Sequence, residues 1–143
     1  MTAEVNKQLV LDFMEEAFNK GNLAAVDEHL STNAVDYQEP AGTNFCNHLK
    51  EVITMLRTAF PDLHFEIHDI LAEGETVSFR STMTGTHLGM FQGAPPTGKK
   101  VAVPHMHFVQ IVDGKGVALW HLWDTPGMMR QLGVVPGQQR KSA

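Results

Sequence analysis

Two stretches of the chain bring together side chains able to move protons or hold ions. One is "HMH", in which His105 and His107 alternate about Met106. The other is "WHLWD", Trp120 to Asp124, which holds both tryptophans of the chain and ends an apolar run on a carboxylate. In a strand, residues two apart point the same way, so His105 and His107 share a face. Imidazoles titrate near neutrality and serve equally as proton carriers or metal ligands. A carboxyl group among tryptophan and leucine side chains is pushed up by desolvation, toward the range of a general base that removes a proton alpha to a carbonyl. A protonated histidine opposite Asp124, or the N-terminus of a following helix, pulls it down. Asp124 is equally placed to cap that helix, and the two histidines also fit a core in which their nitrogens are satisfied. A histidine pair on one strand suits zinc or iron, but such sites need a further carboxylate a few residues on, where Gln110 and Ile111 stand. No metal is expected.

Whether these groups meet depends on the hairpin that joins them. "KVAVPHMHFVQIV" and "VALWHLW" read as strands separated by the turn signal "DGKG". With a loop from Asp113 to Gly116, Val112 opposes Val117, which sets His105 opposite Asp124, His107 opposite Leu122 and Val109 opposite Trp120. The expectation is a cavity face with His105, His107, Trp120 and Asp124, and an outer face with Met106, Phe108, Leu119, His121 and Trp123. A two-residue loop keeps this parity, whereas an odd-length loop or a bulge reverses it.

The elements that must carry this hairpin are readable from periodicity. Val5, Leu9, Val10, Phe13, Met14, Ala17 and Phe18 follow one helix face, which Gly21 stops. Asn22 caps a short second helix, "LAAVDEHL", broken by Ser31 to Asn33. "AVDYQEP" is a short extended piece, and "HLKEVITMLRTAF" is a third helix ended by Pro61. Beyond Pro61 the period changes to two: "LHFEIHDIL" and "TVSFRSTMTGT" form an antiparallel hairpin about "AEGE". His64, Glu66 and His68 fall on its polar, solvated side. After "WHLWD", Thr125 is read as an N-cap, Pro126 as the first helical residue and "GMMRQL" as a closing helix stopped by Gly133; "GQQRKSA" is expected to fray. Helices followed by antiparallel strands make an α+β domain, with N-terminal helices packed on a strongly curved antiparallel sheet in a cone that can hold a cavity.

Composition narrows the partners. The chain has 143 residues, enough for one domain (1–143) that hides roughly 70% of its unfolded surface. Its 43% hydrophobic and 19% charged residues suit a soluble globular protein, with no run long enough to span a bilayer. A net charge of -5, without a basic cluster beyond "KK" at Lys99, argues against nucleic acid and anionic membranes. The single cysteine, Cys46, reads as packing, and with no leader-like N-terminus the expected location is cytoplasmic. A final strand apolar on both faces needs a second apolar neighbour, so a homodimer through the outer sheet face is expected. Nucleophile elbows, phosphate-binding loops and dinucleotide fingerprints are absent from the sequence.

The phrases "AFPDLHFEIHDILAEGETV", "GTHLGMFQGAPPTGKKV" and "DGKGVALWHLWDTPGMMRQLGVVP", in this order, resemble the SnoaL-like polyketide cyclases of the nuclear-transport-factor-2-like superfamily. The resemblance implies the same cone-shaped fold, dimerisation through the sheet and a cofactor-free intramolecular aldol closure of an aromatic polyketide ester. It places the proton-abstracting acid at Asp124, four residues after Trp120, with His105 and His107 orienting it or stabilising oxyanions. Trp120, Tyr37, Gln38, Phe13 and Phe91 are the residues expected to touch the substrate. The chain departs from common family residues at Gln38, Gln110, Gly116, Ala118 and Leu119. Two other readings stay open: a non-catalytic domain that binds a small hydrophobic ligand, and a hydrolase that activates water.

Overall fold

A computed structural model describes residues 2–134. Helix α1 (Ala3–Phe13) starts where Thr2 Oγ1 accepts the amide of Val5, and it runs on as a π-helical turn from Met14 to Asn19. The Arg57 guanidinium donates to the carbonyls of Phe18 and Asn19, both at 2.9 Å, satisfying the helix end. Gly21 follows at φ +73, where a Cβ would meet Arg57 at 2.6 Å. α2 (Ala24–His29) leads into β1 (Leu30–Asp36), and α3 (Phe45–Ala59) begins at an Asn44 cap, earlier than periodicity placed it. The strands β2 (His64–Glu73), β3 (Thr76–Thr86), β4 (Lys100–Val112) and β5 (Lys115–Trp123) follow, and α4 (Thr125–Leu132) closes the described chain.

The strands form a curved sheet in the order β1-β5-β4-β3-β2. Four are antiparallel neighbours, as alternation predicts, but β1 lies parallel to β5, with Val35 opposite Ala118 and Asp36 opposite Leu119. The sheet is therefore mixed. The short extended piece read at Ala34 is the end of a full strand that starts as α2 stops, and its edge position only pairing could reveal. Inner-face residues Phe65, Phe79, Met83 and Val103 pack with Phe18, Ile53 and Leu56 into one core. No helix among the described residues is long and apolar enough to cross a membrane.

The β4–β5 turn decides the geometry of the site. Asp113 (φ +50) and Gly114 (φ +78) make a two-residue loop, with Val112 opposite Lys115. Ile111 then opposes Gly116, but Gln110 opposes Ala118: Val117 is an extra residue on β5. Beyond this bulge every β5 side chain sits on the face opposite to that expected. At Gly116 a Cβ would come within 2.7 Å of Leu30, so the glycine allows β1 to approach.

The helix after β5 is held from both ends. Asp124, not Thr125, is its N-cap: Asp124 Oδ1 accepts the amide of Gly127 at 2.9 Å. The Gln131 side chain accepts from the Ala102 amide and donates to its carbonyl, covering a stretch of β4 beyond the end of β5. The segment "GQQRKSA" lies outside the described residues.

Candidate active site

Because of the bulge, Trp123 opposes His105, and His121 opposes His107. The inner face of β4 and β5 thus carries His105, His107, Leu119, His121 and Trp123 around a cavity of about 780 Å³. This corrects the expected assignment. Trp120 lies on the outer face, its ring stacked on Tyr37 with centroids 4.9 Å apart. Asp124 is exposed and engaged with the first turn of α4, and it does not line the cavity. The physical reason is the single inserted residue, which reverses the pleat.

The carboxylate that does meet the histidines is Asp36, at the end of β1. Side chains of Ala34 and Asp36 point inward while Val35 and Tyr37 point out. Asp36 Oδ2 lies 2.7 Å from His121 Nε2, and Oδ1 accepts the Gln38 amide at 2.8 Å. His121 Nδ1 in turn lies 2.9 Å from His105 Nε2. Burial pushes the Asp36 carboxyl up, but the His121 bond, the Gln38 amide and the charge on His121 together outweigh it, so the group is held below its ordinary value. Burial pushes His105 down to about 3, with the neighbouring His121 adding to the effect and Asp36 opposing it. His107 is driven well below its ordinary value by burial, then by His105 and His121. At neutral pH, His105 and His107 are therefore uncharged and Asp36 is ionised.

These protonation states order the hydrogen bonds. With neutral His121, its Nε2–H donates to Asp36, and its bare Nδ1 accepts from His105 Nε2–H. His105 Nδ1 is left as a lone pair, buried and without a partner among the described residues, as is His107 Nδ1. The His105 and His107 rings lie with centroids 3.8 Å apart, and His107 stacks on Phe79 at 4.2 Å. His105, His107 and His121 each offer a ring nitrogen within 4.8 Å of the others.

A second acid and histidine border the same cavity: His48, on α3, holds the Glu39 carboxylate at 2.5 Å. Burial raises the Glu39 carboxyl, only partly offset by His48, with Asp36 adding to the rise. Phe13 and Gln38 line the cavity. Phe91 does not; it is buried against Phe60 and His87. Cys46 is buried, its Sγ 3.4 Å from the Ser31 carbonyl, and burial raises its thiol. Four polar groups of the site escaped the reading of the sequence. Asp36 and His121 carried a signal in strand alternation, once β1 pairs and Val117 bulges. Glu39 and His48 lie in a turn and a helix whose contact no local pattern announces.

Comparison with known proteins agrees with this architecture. The family model for the SnoaL-like polyketide cyclases matches residues 8–132. The chain is 31% identical over 127 residues to the nogalonic acid methyl ester cyclase of Streptomyces nogalater, covering 84% of this chain and 92% of that protein. It is 30% identical over 128 residues to the aklanonic acid methyl ester cyclase DnrD of Streptomyces peucetius, with 84% and 86% covered. The solved structure of TsrD from Streptomyces laurentii superposes with a TM-score of 0.85 at 25% identity, over 94% of this chain and 99% of that one. With matched fold, matched family model and relatives aligned over most of their length, the chain belongs to the SnoaL-like polyketide cyclase family.

Proposed function

We propose that the protein is an acid/base enzyme that closes a ring in an aromatic polyketide ester by intramolecular aldol addition. The observation that supports this most is the hydrogen-bonded series Asp36–His121–His105, which runs from a buried carboxylate to the wall of the cavity. The substrate class is taken from the relatives, which act as cyclases of nogalonic and aklanonic acid methyl esters. His105, whose ring lines the cavity, accepts a proton from the carbon alpha to a carbonyl, and its Nε2–H moves to His121. The enolate carbon then attacks a ketone carbon of the same molecule, one C–C bond forms, and the new alkoxide recovers the proton as the series resets. Atoms and electrons balance within one molecule, so the product is an isomer of the substrate. The cavity's part is to fold the substrate so that the two carbons meet, a contribution of up to about 7–11 kcal/mol in well-oriented systems.

The test is to incubate the protein with the methyl esters of nogalonic and aklanonic acids and follow products by chromatography and mass. A product of unchanged mass whose formation slows in Asp36→Asn, but not in Asp124→Asn, supports the reading. Binding with no product marks a ligand-binding domain instead, and a free acid lighter by one CH2, formed with release of methanol, marks a hydrolase. We also propose that the protein is a homodimer, joined through the outer sheet face. There Met106, Phe108, Trp120 and Leu122 form an apolar patch on the two adjacent strands β4 and β5, with Leu122 72% exposed. These replace Leu119, His121 and Trp123, which face inward.

A further inference from the structure

We propose that His105, His107 and His121 form a binding site for a divalent transition-metal ion of the zinc, nickel, cobalt or copper type, and that the bound ion blocks the proton path. Three imidazoles from two adjacent strands share the inner face, and one ring nitrogen of each lies within 4.8 Å of the others. Donors on one ion, with metal–nitrogen bonds of about 2.0–2.1 Å, sit about 3.0–3.4 Å apart. The His105 Nε2 to His121 Nδ1 separation of 2.9 Å is already close to this, and rotation of the His107 ring brings in the third donor. Imidazole nitrogen suits these ions rather than magnesium or calcium, which prefer oxygen.

Two further features point to a ligand. His107 lies in the buried face with its Nδ1 unpartnered among the described residues. Asp36 holds His121 Nε2–H at 2.7 Å, fixing the tautomer that turns Nδ1 toward the cluster. A carboxylate in that position is the usual support of a metal-bound histidine. The ion takes His105 Nε2 and His121 Nδ1, the pair between which the proton must pass. Occupancy by metal and proton transfer therefore exclude each other. The binding claim stands apart from the cyclase reading; only the blocking rests on it.

The full chain, stripped of metal by chelator and dialysed, is titrated with cobalt(II) chloride. Visible d–d absorption and calorimetry read the binding, and zinc(II) competes. One equivalent should bind at micromolar concentrations or below. His107→Gln, whose residue lies outside the proton path, should weaken binding at least tenfold, and Asp36→Asn by about 10- to 100-fold. His68→Gln, a solvated surface histidine bonded to Thr82, should leave it unchanged. Circular dichroism confirms that each variant folds, and His121→Gln stands in if His107→Gln does not. Absence of stoichiometric binding, or binding indifferent to both substitutions, overturns the site. Ring closure that persists at saturating zinc overturns the blocking. Metal binding without ring closure in the chelated protein keeps the site and rejects the cyclase reading.

Discussion

Replacing Asp36 by asparagine preserves the side chain's shape and removes its charge. Asparagine retains an oxygen for the Gln38 amide, now at 2.8 Å, but loses the charge-assisted bond to His121 that outweighs the carboxylate's burial. Stability should therefore fall by about 1–3 kcal/mol, leaving a folded protein to assay. The effect on turnover is larger. When the proton reaches His121, an imidazolium forms with its Nε2 2.7 Å from the carboxylate oxygen. For charge centres about 4 Å apart at an effective dielectric near 20, that attraction is about 4 kcal/mol, of which the amide dipole recovers part. A net loss of about 2–4 kcal/mol lowers kcat by roughly 30- to 1,000-fold, with KM little changed, because the charge exists only during the reaction. The assay is steady-state ring closure of the relatives' methyl esters, alongside thermal unfolding of both proteins. A fall in kcat under threefold, measured per folded molecule below the melting transition, would refute the proton path. So would an equal or larger loss in Asp124→Asn.

Other consequences can be checked separately. Asp124→Ala removes the α4 cap and should cost about 0.5–2 kcal/mol in urea unfolding, with turnover per folded molecule unchanged. Asp62, whose carboxylate accepts the Thr86 amide and hydroxyl, both at 2.7 Å, is held below its ordinary value of 3.8 first by the amide bond and then by the hydroxyl. Its contribution to stability is present above that value and lost as pH falls through the lower folded value. Unfolding midpoints for Asp62→Asn should thus approach those of the parent at low pH; a constant gap down to the acid limit would reject this. Leu122→Glu together with Phe108→Glu places charges on the outer apolar face. If that face joins two copies, light scattering should show half the parent mass, and an unchanged mass would rule the face out.

Much of this molecule was legible from residue order. Helical spacing from Val5 to Phe18 and from Leu49 to Phe60, the change to alternation after Pro61, and the turn residues Asp113 and Gly114 each depend on local sterics and local burial. So does the phrase-by-phrase likeness to the cyclase family, and with it the α+β architecture. His105 and His107 were correctly placed on one face because two residues of one strand need no partner to define their relation.

Relations between strands were different. A register is set by pairing across the sheet, and one extra residue reverses every side chain beyond it. Val117 is that residue on β5, where the small Gly116 lets Leu30 pack closely. It sends Trp120 outward, leaves Asp124 to cap α4, and brings His121 and Trp123 to the cavity. Likewise Asp36 is an ordinary acid in an extended segment until β1 pairs in parallel with β5, some eighty residues later in the chain. The sequence by itself determined which elements form and that a carboxylate and histidines were available. Tertiary pairing alone decided which carboxylate meets them, because facing is a property of two strands together and neither strand carries it alone.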